Sequence, residues 1–167
     1  MRRTTKVVTA AVAAGAALAM AAAPASADER VCRGTIGATT VDDVRVPDGA
    51  TCRLLGTRVE GTVKVETGAR LIARRARIDG NVQTQGHRSV LLVRGAVGGS
   101  VQLEQGRAAQ VLRVRIEGDL QSFSNRGVQR FARNRIDGNL QCKSNTPRPV
   151  GGRNVVGGNK EDQCGRL

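Results

Sequence analysis

The sequence predicts an all-β chain. Its single domain is a parallel β-solenoid, a right-handed β-helix by preference, of about seven coils of 19–20 residues with a disulfide at each end. Three observations carry this reading: an element that recurs at a fixed step, a period-two alternation inside it, and cysteines paired about one step apart at either end of the repeat.

The element runs Val59-Glu60-Gly61-Thr62-Val63-Lys64, Ile78-Asp79-Gly80-Asn81-Val82-Gln83 and Val97-Gly98-Gly99-Ser100-Val101-Gln102. It returns at Ile116–Gln121 and Ile136–Gln141, and fades at Val156-Gly157-Gly158-Asn159. Its glycines stand at 61, 80, 99, 118, 138 and 158, so the steps are 19, 19, 19, 20 and 20. An earlier coil, Thr40 to Arg58, lacks the glycine, yet Val44–Ala50 matches Val63–Ala69. A fixed period of this size marks a solenoid and outranks local propensity.

Within a period the first and fifth places are apolar with polar neighbours, the alternation of a strand with one buried face. The glycine at the third place suits a bend. A second alternating stretch follows: Cys52 and Leu54, Leu71 and Ala73, Val90 and Leu92, Ala109 and Val111, then Gln129 and Phe131. A turn containing Gly49, Gly68, Gly86, Gly106 or Gly127 separates the two. No long apolar stripe has the spacing a helical repeat needs. The left-handed alternative uses six-residue units, and only one unit per coil fits. Coils stacked ~4.8 Å apart make a rod ~30–35 Å long.

The cysteines test the register. Cys32 and Cys52 are 20 apart, Cys142 and Cys164 are 22 apart, and each pair is expected to stack on consecutive coils within disulfide range. The other pairings would bridge the length of the rod. A four-cysteine metal site lacks the spacing.

The chain starts with Arg2, Arg3 and Lys6, continues as an apolar run from Val7 to Ala23, and reaches Pro24-Ala25-Ser26-Ala27. That is the three-part pattern of a secretory signal peptide, with cleavage expected after Ala27. Export would supply the oxidising compartment that disulfides need. The expected organisation is therefore a signal peptide at 1–27 and a solenoid domain at 28–167, with an N-terminal cap at 28–39, coils at 40–155 and a C-terminal cap at 156–167.

Net charge is +13 from 27 basic and 14 acidic residues. Removing the leader takes away three basic residues and leaves +10, which favours anionic partners. Phe123 and Phe131 are the only aromatic residues, so ligand stacking on rings, common in glycan and single-strand nucleic-acid sites, is excluded as a main grip. Stacked coils turn repeated positions into columns. Arg58, Arg77, Arg115 and Arg135 form one, beside the acids Glu60, Asp79, Glu117 and Asp137; this reads as a solvated ion-pair network. Gln83, Gln102, Gln121 and Gln141 form a column that can hydrogen-bond to itself. Arg75, Arg94, Arg113 and Arg133 form a column without acids, a linear array matched to a polyanion.

Catalytic constellations are close to absent. His87, the single histidine, falls in a turn between Gly86 and Arg88 and is expected to be exposed there. No Gly-x-Ser-x-Gly elbow occurs, no paired acids face a cleft, and the glycine-rich Val97–Ser100 stretch belongs to the repeat.

The Ile/Val-x-Gly-Asp/Asn-Val/Leu signature at this spacing, over about residues 40–160, resembles that of bactofilins, bacterial β-solenoids that polymerise end to end. The chain departs from them in its leader and its terminal cysteines. It is also similar to a set of small secreted proteins of actinobacteria, sharing the export signal, Gly138-Asn139-Leu140-Gln141-Cys142 and Lys160-Glu161-Asp162-Gln163-Cys164. That resemblance implies compartment and fold and brings no activity with it. The expectation is a non-catalytic secreted structural or binding module with no cofactor, a monomer by preference with its oligomeric state left open, whose partner is an anionic cell-wall polymer or other polyanion. Two alternatives are a self-assembling extracellular scaffold and an enzyme acting on polysaccharide.

Overall fold

In the computed structural model, which describes residues 28–167, the chain winds through 22 strands and no helix. The expected signal peptide lies outside the described residues. Three parallel sheets of eight, seven and seven strands form the walls of a β-solenoid of about seven turns. The third coil shows the plan: Val63–Val65 lies in the first sheet, Arg70–Arg74 in the second and Arg77–Ile78 in the third. Register is kept along the stack, Val44 pairing with Val63, Val63 with Val82 and Val82 with Val101.

Alternation places one apolar side chain after another inside. Val63, Val65, Leu71, Ala73 and Ile78 are buried, as are their counterparts in neighbouring coils. The less regular pair Gln129 and Phe131 is buried too, so the alternation holds where its chemistry changes.

The repeat motif has a physical cause at the corner between the third and first sheets. A Cβ on Gly80 would meet the Gly61 backbone, and one on Gly138 would meet Gly118, so close stacking requires glycine at the third place. The residue after it caps the next coil. The Asn81 side-chain oxygen accepts the Ser100 N–H at 2.8 Å, Ser100 Oγ accepts from Asp119 at 3.0 Å, and Asn139 accepts from Asn159 at 2.8 Å.

The other two corners turn on a residue with positive φ. Between the first and second sheets these are Gly49, Gly68 and Gly86, then Gln105, Ser124 and Ser144. Gly106 and Gly127, although in these turns, are not the positive-φ residues. Between the second and third sheets the turn residues are Gly56, Arg75, Arg94, Arg113, Arg133 and Arg153. In both corners the residue that follows turns inward. One column of followers includes Ala69, His87, Gly106, Asn125 and Asn145, and the other includes Thr57, Ala76, Val114, Asn134 and Asn154; all are buried.

That rule corrects the reading of His87. It is fully buried, because the left-handed turn at Gly86 aims the next side chain into the core. Its ring occupies the space where a side chain at position 106 would stand: a Cβ on Gly106 would strike His87 Cε1 and Nδ1. In later coils asparagine fills the same slot and bonds the backbone on both sides. Asn125 accepts the Gly106 N–H at 2.8 Å and donates to the Leu103 carbonyl at 2.8 Å. At the other corner Asn134 does likewise with the Val114 N–H at 3.0 Å and the Val111 carbonyl at 2.8 Å.

The disulfides are Cys32–Cys52 and Cys142–Cys164, with Cα separations of 5.4 and 5.2 Å. Their partners do not stack in one column as the spacing suggested. Cys32 continues the first sheet, where its N–H bonds the Arg45 carbonyl, whereas Cys52 belongs to the second sheet. The bond therefore ties two walls together across adjacent coils. The cause is a shortened first coil: Arg30 pairs with Val44, 14 residues on, instead of 19. The segment expected as the N-terminal cap thus carries strands Arg30–Val31 and Thr35–Ile36 of its own. At the far end Cys142 is in the first sheet, and Cys164 sits just beyond its last strand, Lys160–Asp162.

Candidate functional site

The expected arginine column is built at the corner between the second and third sheets. Arg75, Arg94, Arg113 and Arg133 occupy equivalent places on successive coils, with φ of 54°, 55°, 57° and 59°. Arg153 extends the column with φ 59°, and Gly56 begins it. Arg153 lies where the sequence motif fades, yet its 20-residue step from Arg133 is a usable signal for it. Backbone hydrogen bonds fix the spacing. The Arg75 N–H donates to the Val93 carbonyl at 3.0 Å, Arg94 to Leu112 at 3.1 Å, Arg113 to Ala132 at 3.1 Å and Arg133 to Gly152 at 3.0 Å. All five side chains are exposed.

Left-handed φ is costly for any L residue with a Cβ and is tolerated best by glycine, then by asparagine and aspartate. Here the first turn of the column uses glycine and the next five use arginine. The grooves beside the column are walled by Arg74, Arg94, Arg113, Arg130 and Arg133 around Val93 and Leu112.

No carboxylate lies within salt-bridge distance of these corner arginines among the described residues. The neighbouring column behaves oppositely. Arg58 and Arg77 both reach Asp79, at 2.8 and 2.9 Å, and Arg115 and Arg135 both reach Asp137, at 3.1 and 3.2 Å. The hydrogen bond from Arg77 holds the Asp79 carboxyl below its ordinary value and raises the guanidinium. Gly98 stands where an acid would continue this network, which leaves a break between its two halves. The glutamine column bonds to itself only near its end, Gln121 to Gln141 at 2.9 Å and Gln141 on to Glu161 at 2.9 Å.

His87 is kept from acid–base work at the surface by its burial. Its Nδ1 is 2.7 Å from Thr84 Oγ1, and its Nε2 has no partner within the fold. Desolvation lowers its pKa to about 4. Among the described residues no group of three or more His, Cys, Asp or Glu is placed to hold a metal, and no helix is long and apolar enough to cross a membrane. No protein-family model matches the chain, and comparison with curated proteins and with solved structures returned no match.

Proposed function

We propose that this protein is an exported, non-catalytic structural or binding module that associates with anionic envelope material through Arg75, Arg94, Arg113 and Arg133, extended by Arg153. The reading rests on one observation: arginines repeat on consecutive left-handed corners without a carboxylate beside them, while the adjacent arginine column is neutralised. Cations held in register ~4.8 Å apart repel one another, and a polyanion of phosphates or carboxylates relieves that repulsion along its length. Guanidinium groups add bidentate hydrogen bonds to such anions.

The test is retention on a polyphosphate resin or on isolated cell wall, with elution by salt. Replacing Arg75, Arg94, Arg113 and Arg133 together by serine is expected to abolish retention. Unchanged retention would refute the reading.

A second reading, the self-assembling scaffold implied by the likeness to bactofilins, draws support from the C-terminal end. Val150–Gly152 and Val155–Val156 are the outermost strands of their sheets, and Val150 and Val155 are exposed there. Light scattering decides it: a monomer with disulfides both intact and reduced removes it.

A further inference from the structure

The outer face of the second sheet differs from the other two walls in both charge and polarity. Its strands hold Arg53, Arg70, Arg74 and Arg130, its edge carries the five corner arginines, and neither contains an Asp or Glu. Every side-chain ion pair among the described residues has its arginine in the first or third sheet.

This acid-free face also carries an aliphatic centre. Ile72 and Leu91 are outward neighbours in one column, and Val93, Leu112 and Ala132 in the next, each of them half-buried with its remaining surface facing solvent. Leu55, 40 % exposed, lies on the same line beyond Arg74, which separates it from Val93. The outward positions of the first sheet, by contrast, are polar apart from Phe123: Arg45, Lys64, Gln83, Gln102, Gln121 and Gln141 in one column, and Gln85, Glu104 and Lys143 with Phe123 in the other. An apolar strip rimmed by cations asks for more than charge from its partner.

A soluble polyanion leaves the aliphatic centre in water. A second copy of the chain would cover it but would set this row of arginines against another, like charge against like. An anionic bilayer satisfies both parts: lipid phosphates meet the arginine edge while the aliphatic strip sinks into the interfacial layer.

We propose that the outer face of the second sheet docks on a bilayer surface rich in anionic lipid. The inference rests on the proposed function, that the corner arginines take anions, and names what carries those anions. The corner arginines contact headgroups, and Leu91, Val93 and Leu112 contact the glycerol and upper acyl region.

The experiment floats purified, disulfide-intact protein with phosphatidylcholine vesicles that contain or lack phosphatidylglycerol, and runs the same samples on polyphosphate resin. Binding is expected only to the vesicles containing phosphatidylglycerol, with a part that survives high salt. Changing Leu91, Val93 and Leu112 together to Thr keeps β-propensity. It is expected to weaken vesicle binding roughly tenfold, from the lost apolar contact, and to leave retention on polyphosphate unchanged. The fourfold arginine-to-serine variant is expected to lose retention on polyphosphate and to bind vesicles more weakly, by roughly fivefold per arginine.

Vesicle binding unchanged in the threonine variant overturns the lipid inference and leaves the polyanion reading standing. So does retention on polyphosphate without vesicle binding, or vesicle binding of the parent protein that salt removes entirely. Retention on neither support defeats both. Circular dichroism of the threonine variant checks its fold, and the salt dependence of the parent decides the question independently of any variant.

Discussion

Below neutral pH this protein should lose stability through His87 before the ion-paired Asp79 protonates. The imidazole is fully buried, its Nε2 has no partner, and desolvation lowers its pKa to about 4. In the unfolded chain a histidine titrates near ~6.5. Between those values the unfolded chain binds the extra proton, so stability rises with pH through this window and is level above it. At pH ~4.5 the linkage amounts to about 2.5 kcal/mol lost relative to pH ~7.5, and the full loss below the folded pKa is about 3 kcal/mol. Asp79, held below its ordinary value by Arg77, loses its contribution only at lower pH, as it protonates. The two effects therefore separate.

The assay is urea unfolding with disulfides intact across this range, for the parent and for His87→Asn. Asparagine does not titrate, and it already fills the same inward column at Asn125 and Asn145. The variant should show no slope between pH ~6.5 and ~4. A slope of equal size in both proteins, or none in the parent, would refute the reasoning.

Gly106→Ala should destabilise by about 1–3 kcal/mol, because its Cβ enters the His87 ring. Pairing it with His87→Ala should recover part of that loss in a double-mutant cycle by thermal melting. Each disulfide closes a loop of 20 or 22 residues in sequence separation, so replacing either pair by serine should cost about 3 kcal/mol in urea unfolding. Arg94→Gly relieves a left-handed arginine. It should leave stability unchanged or raise it by up to about 1 kcal/mol, while weakening retention on polyphosphate; a large destabilisation would mean that the side chain supports the fold.

The coil period, both alternating stretches and the disulfide partners were legible in the sequence, because inward and outward positions of a strand differ sharply in polarity. Positions governed by the left-handed corners were not. His87, Asn125 and Asn134 are polar residues flanked by turn residues, the usual pattern of an exposed loop, and nothing local reveals that a positive φ at the preceding residue reverses them. The shortened first coil was hidden for a similar reason: Cys32 and Cys52 keep nearly a full period between them while belonging to different sheets. The arginine column was visible as a spacing. Its freedom from acids was only half visible, since that depends on which corner each carboxylate turns toward.

The two staples change how such a stack can come apart. Each coil bonds only to the coil above and below it, so the cheapest opening of a solenoid is fraying from a terminal coil inward. Here the first coil is bound covalently to the second and the last strand region to the coil before it. The remaining route parts two interior coils, which exposes fresh edges of all three sheets on both sides at once. Peptidases that need a terminal coil to unwind would be slowed, and the lifetime of the solenoid would be set by its middle.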